Sequence, residues 1–263
     1  MRAIFRMGFV VMCCLAFLPT LASAAPPAPK GKLVYQDDFS DPRKSGLEDN
    51  LTATDYSRGF HDPGVYHLKN IKNGETHWSL FPRQKYANLT VELDVWDNSD
   101  DFKGDISEGV IVRAQDPAHF YTVLIDPRKG QYAVRKQDGA GKWTDLIAWK
   151  PSSLIKQRSD INHLRVDADG NTFTIYLNDS SLDSFSDSSY SKGSIGLISS
   201  NVDAATNHMH FDNVKAYTTD PQPASLPNTS EPAGVDPLLL AGFALLLLGL
   251  GAAIHQRRGS TDE

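Results

Sequence analysis

The 263-residue chain carries 26 Lys and Arg against 32 Asp and Glu, a net charge of −6, with 40% hydrophobic and 22% charged residues. An acidic chain is a poor match for nucleic acid, whose binding runs on basic patches that displace counterions from phosphates. Its two cysteines, Cys13 and Cys14, are adjacent and near the N-terminus.

Arg2 and Arg6 precede an apolar stretch from Phe9 to Leu18, and Ala22-Ser23-Ala24 supplies small residues behind it. That order predicts a secretory signal peptide over residues 1–24, cut after Ala24. Cleavage removes both cysteines, which excludes disulfides, thiol nucleophiles and thiolate metal sites from the mature chain. It also removes two basic residues and no acidic one, so the mature chain is more acidic still. Residues 25–31, APPAPKG, form a Pro-rich linker.

The folded domain is expected over residues 32–217. Short β-rich segments recur there between Gly, Asn, Asp and Pro turns, with no long helical period and no repeat. Strands are predicted near residues 33–35, 64–68, 76–81, 88–97, 108–114, 120–126, 131–137, 162–168, 172–177, 193–200 and 210–217. Asp169-Gly170-Asn171 and Lys129-Gly130 supply the positive φ that tight hairpins need. Within 88–97, alternation puts Val91, Leu93 and Val95 on a core face, and Thr90, Glu92, Asp94 and Trp96 on the other. About eleven strands without disulfides predict an all-β sandwich of two antiparallel sheets.

Residues 218–236 are rich in Pro, Ser and Thr and read as a second linker. Beyond it, residues 237–254 contain the uncharged run from Leu238 to Ile254, close to the shorter end of the ~17–25 residues of a spanning helix. His255-Gln256-Arg257-Arg258 follows, so residues 255–263 are expected inside and the domain outside, at the cell surface. Leu226-Pro227-Asn228-Thr229-Ser230 stands before this run. The order of motif, apolar run and basic tail resembles a sortase sorting signal, which implies a sortase-like enzyme cutting after Thr229. Ser230 occupies the position where such signals carry Gly. A permanent single-pass membrane anchor is the alternative.

The ordered segments LVYQDDFSDP, PGVYHL, THWSLFP, ANLTVELDVW, EGVIVRAQDPAHFYTVLIDP, GKWTDLIAWKPSSLI, NHLRVDADGNTFTIYLND, YSKGSIGLIS and HFDNVKAY together resemble the concanavalin A-like lectins and glucanases. Within that superfamily they look like the family-16-like domain also labelled a 3-keto-disaccharide hydrolase. The resemblance implies a jelly-roll sandwich and three candidate functions. These are a lectin-like module binding carbohydrate or another surface polymer, a glycoside or keto-sugar hydrolase, and a non-catalytic structural or adhesion protein.

Family 16 enzymes place acidic residues two apart on one strand, and Glu92 and Asp94 match that spacing. Trp96 or Asp97 stands where those enzymes carry the acid/base Glu, so the plainer reading of Glu92 and Asp94 is ordinary outward alternation. The resemblance also implies a structural calcium joining last strand to first, through Asp212 with Asp38 as partner, since calcium takes hard oxygen ligands. A shallow ligand site is expected on a concave sheet lined by Glu92, Asp94, Trp96, Arg113 and Tyr121, aromatic faces for sugar rings beside polar groups for hydroxyls. His61, His67, His77, His163, His208 and His210 show no metal-ligand spacing with a carboxylate and read as surface or core histidines. No Gly-x-Ser-x-Gly elbow, phosphate-binding Gly loop or His-Glu-x-x-His motif occurs.

Overall fold

A computed structural model describes residues 26–49, 56–60, 64–70, 72–82, 85–204 and 206–221. The predicted signal peptide with Ala24, the sorting motif with Thr229, the spanning run and the tail lie outside them. The only helix among the described residues, α1 (Pro42–Ser45), is a single turn, too short to cross a membrane.

The strands in chain order are β1 (Lys32–Asp37), β2 (Tyr56–Gly59), β3 (Tyr66–Asn70), β4 (Glu75–Leu80), β5 (Leu89–Asp97), β6 (Ile106–Asp116) and β7 (His119–Asp126). After them come β8 (Gln131–Asp138), β9 (Trp143–Pro151), β10 (Asn162–Asp169), β11 (Thr172–Leu177), β12 (Ser180–Ser186), β13 (Ser194–Asn201) and β14 (Asn207–Thr218). They build two antiparallel sheets. The larger runs β12-β11-β10-β5-β14-β3-β2, with β1 also paired to β14; the smaller runs β4-β13-β6-β7-β8-β9. This is the expected jelly-roll type of sandwich.

Period-2 alternation decides which side chains fill the space between the sheets. Val91, Leu93 and Val95 of β5 are fully buried there, with Leu164 and Val166 of β10, Phe173 and Ile175 of β11, and Val110, Val112, Val123 and Ile125 of the smaller sheet. A second cluster, Ile111, Phe120, Leu124 and Ile198, lies apart from this core, packed under Trp78, Leu80 and Trp143. The two sheets therefore differ on their outer sides: the smaller covers an apolar cluster with its own aromatics, while the larger carries polar side chains.

Both anticipated hairpin turns are present. Gly170 (φ 55°) turns β10 into β11, where Asp169 faces Thr172, and Gly130 (φ 64°) closes the turn from β7 to β8 with its N–H on the Asp126 carbonyl. In β14 the alternation itself shifts. Met209 and Phe211 are buried before Asn213, and Val214 and Ala216 after it. A bulge between Asp212 and Lys215, with Asn213 at φ 52°, inserts the extra residue that changes the parity.

Candidate functional site

The outward face of the larger sheet is assembled by register. Across β10 and β5, His163 faces Asp94 and Arg165 faces Glu92; across β5 and β14, Trp96 faces His210, Asp94 faces Asp212 and Glu92 faces Lys215; across β14 and β3, His210 faces His67. Directly opposed residues share a face, so these positions form one continuous polar band over four strands.

At its centre His163 Nδ1 lies 2.8 Å from Asp94 Oδ1, and Asn213 Nδ2 donates to Asp94 Oδ2 at 3.0 Å. Burial tends to raise the Asp94 carboxyl, but the hydrogen bonds from His163 and Asn213 outweigh it and hold it below the usual carboxylate range. The same contact raises His163 above the ordinary imidazole value against the opposing pull of burial. Glu92 accepts from the Tyr217 hydroxyl at 3.2 Å and faces the Lys215 ammonium at 3.6 Å. Arg165 binds Asp167 with both ends of its guanidinium, at 2.8 and 2.7 Å, and lies over the ring of Tyr176 at 5.0 Å.

The N-terminal residues lie on this band. Pro27 accepts a hydrogen bond from Arg165 Nη1 at 2.5 Å, and Pro26 to Pro29 wall a cleft of about 190 Å³ with Glu92, His163 and Tyr176. A second cleft of about 310 Å³, between Pro27, Thr90, Asp167 and Thr174, continues toward the sheet edge.

The five residues expected to line one shallow site do not come together. Glu92, Asp94 and Trp96 share the outward face, whereas Arg113 and Tyr121 belong to the smaller sheet and are buried. Arg113 has φ 53° at a bulge in β6, which breaks the alternation that would have aimed it outward. Its guanidinium donates to the carbonyls of Tyr190, Ala87 and Gly170 and stacks over Phe173 at 4.7 Å, so it ties loops together inside the molecule. Gly193 is required there, because a Cβ would sit 2.2 Å from the Arg113 carbonyl carbon. Tyr121 packs on Phe173 and Tyr190 and donates to Asp187 at 2.6 Å; burial first, then that contact, pushes its phenol up to about 12.

Asp212 and Asp38 offer oxygen donors at the junction of β14 and β1. Burial raises the Asp212 carboxyl, and the neighbouring charges of Asp94, Asp38 and Asp37 add to it. Each also has local donors: Asp212 accepts from its neighbour Asn213, and Asp38 from Ser40. Among the described residues these carboxylates do not converge with a third ligand. The donor chemistry suits a hard cation.

What sequence reasoning missed lies beside Trp96. His67, His208 and His210 bring one ring nitrogen each to within 4.8 Å of one another. The signal was present as His208-x-His210 on one strand face, but their partner His67 is remote in sequence and is joined to them only by the β3–β14 pairing.

Two antiparallel sheets with a polar outer band define a concanavalin A-like sandwich. The 3-keto-alpha-glucoside-1,2-lyase-like domain model matches residues 46–216, and the chain belongs to that carbohydrate-related family. No curated protein matches the chain in sequence. Among solved structures, a Bacillus subtilis protein of unknown function with a galectin-like fold is similar at TM-score 0.52 and 12% identity, over 72% of this chain and 98% of that one. The carbohydrate-binding module CBM66 from Bacillus subtilis is similar at TM-score 0.49 and 20% identity, over 66% and 96%. A Bacteroides ovatus mixed-linkage glucan GH16 protein, in complex with a product, is similar at TM-score 0.49 and 12% identity, over 69% and 99%. These likenesses are of fold.

Proposed function

We propose that the outward face of the larger sheet binds carbohydrate outside the cell. The observation that carries this reading is the band centred on the Asp94–His163 pair, where Trp96, Tyr176 and Tyr217 share a face with Glu92, Asp94 and Arg165, and a cleft lined by Glu92, His163, Arg165 and Tyr176 lies on it. Trp96, Tyr176 and Tyr217 offer apolar faces to the C–H side of a sugar ring, and Glu92, Asp94, His163 and Arg165 offer charge to its hydroxyls. Family membership supports a glucoside or keto-glucoside as the ligand class. Calorimetry of the purified full chain against glucans, disaccharides and their 3-keto forms is the test. Trp96→Ala should weaken binding by about 0.5–1.5 kcal/mol, the scale of a lost aromatic contact, with the melting temperature little changed. Unaltered affinity in that variant excludes the face.

A second reading is favoured by the same pair. A histidine held through Nδ1 by a carboxylate presents Nε2 as an oriented base. With a 3-keto sugar on the band, His163 would take the acidic proton at C2, the electron pair would form C1=C2, the C1–O bond would break, and the departing oxygen would take a proton from water to leave as the alcohol. Asp94, held below the usual carboxylate range, does not suit the protonated-acid role of carboxylate-pair hydrolysis. An unsaturated keto sugar found by mass spectrometry after incubation with the 3-keto substrate supports elimination; recovery of intact substrate leaves binding alone.

The predicted leader and apolar C-terminal run support exposure on the envelope, either through a retained membrane segment or after processing at Thr229 by a sortase-like enzyme. Calcium at Asp212 and Asp38 belongs to the same proposal, supported by the carboxylates crowded at the β1–β14 junction.

A further inference from the structure

The three imidazoles on β3 and β14 have a geometry that ordinary surface or core histidines do not need. His67 and His210 are 2% and 5% exposed, and His208 is half-buried. His67 Nδ1 lies 2.6 Å from His208 Nε2, and His210 Nε2 lies 3.2 Å from that same atom. The rings crowd to centroid separations of 4.1 to 4.9 Å. An imidazole nitrogen carries either one hydrogen or one lone pair, so His208 Nε2 cannot serve both neighbours as ordinary hydrogen bonds. One cation accepting all three lone pairs satisfies the whole arrangement.

We infer that His67, His208 and His210 form a binding site for a divalent transition metal of the zinc class. Three imidazoles are a borderline-soft nitrogen set, suited to zinc, copper, iron or nickel rather than calcium or magnesium. Zinc–nitrogen bonds of about 2.0–2.1 Å place tetrahedral ligand atoms roughly 3.3 Å apart. The 3.2 Å pair already has that spacing, the 2.6 Å pair would open by a few tenths of an ångström on binding, and all three ligand atoms lie within 4.8 Å of one another. Three protein ligands leave a fourth position for water or a ligand oxygen. Trp96, whose ring lies 5.1 Å from that of His210, stands at the flank of the site. The site is independent of the carbohydrate reading; only the identity of a ligand oxygen in the fourth position rests on it.

The test needs no sugar. Untagged full-length protein is stripped with chelator, dialysed against micromolar zinc and assayed for bound metal, with cobalt(II) absorption as a separate readout of coordination. The expected result is one zinc per chain and a visible cobalt band indicating tetrahedral or five-coordinate nitrogen ligation. His208→Asn should bind zinc at least about tenfold more weakly, since even the outer partners of metal ligands are worth about 10–100-fold. His119→Asn, on the smaller sheet, should bind like the parent. His208 is the variant of choice because its partial exposure makes misfolding the smallest concern, and the cobalt spectrum of the parent stands without any variant. No bound zinc at micromolar concentration overturns the inference, and so does undiminished binding in His208→Asn.

Discussion

Among the described residues, Glu108 is a buried acid that costs stability. It is wholly buried on β6, facing the space between the sheets, and neither carboxyl oxygen has a hydrogen-bond partner among the described residues. Burial, and then the nearby charges of Asp97 and Asp126, raise it well above the usual carboxylate range, against a weaker opposing pull from Arg128. Arg128 is already spent on Asp97, at 2.7 Å. Because the raised group keeps its proton in the folded state, its penalty is absent below the unfolded value of 4.5 and grows as pH rises toward the folded one. Glu108→Leu should therefore stabilise the protein by about 1–3 kcal/mol, the cost of an unsatisfied buried polar group. That gain should be larger at pH 8 than at pH 5 in urea unfolding. A loss of stability at both pH values would show that Glu108 has a partner. At this scale the sequence was legible where alternation alone acts, as at Val91, Leu93 and Val95. It was not legible where a positive φ redirects a side chain, as at Arg113, or where long-range pairing gathers residues, as at His67.

Elements were legible in proportion to what they bury. The strands that alternation did not reveal, β2, β9 and β12, are all sheet edges. An edge strand pairs on one side and covers little core, so β12 can read SSLDSFS, and β9 can carry apolar residues out of period and stay largely exposed. Central β5, by contrast, showed both faces in its sequence, and its outward face supplied the three expected residues that do share the site. The pairing of β5 with β10 has a pH signature. Raised His163 contributes stability that is complete below pH 6.5 and is lost as pH climbs through its folded value; lowered Asp94 contributes above pH 3.8 and loses it as pH falls through its own. Their pair should count most between about pH 4 and 6.5. For a contact whose side chains are 37% and 22% exposed, His163→Gln should cost about 0.5–1 kcal/mol at pH 5.5 and less above pH 8. Equal losses at both pH values would exclude a charged His163 in the fold.

The whole sandwich is closed by pairing its first strand with its last. Lys32 lies opposite Thr218 and Asp37 opposite Val214, and Gly31 is fixed by this seam, since a Cβ there would fall 2.3 Å from the Thr218 carbonyl. Calcium bridging Asp38 and Asp212 would strengthen the seam, so added calcium should raise the melting temperature and chelator reverse it. A transition indifferent to both removes the proposal. The seam also sets how the molecule carries load. Its two ends leave from the same corner, on antiparallel neighbours, so a pull between Lys32 and Thr218 breaks the β1–β14 hydrogen bonds one at a time, like a zipper opened from its end. A pull between Thr218 and a ligand on the outward face enters β14 instead, a strand flanked by β5 on one side and by β1 and β3 on the other. The fold is therefore soft to tension between Lys32 and Thr218 and stiffer to tension between Thr218 and the outward face of the larger sheet, the direction in which the proposed anchored carbohydrate binder would be loaded.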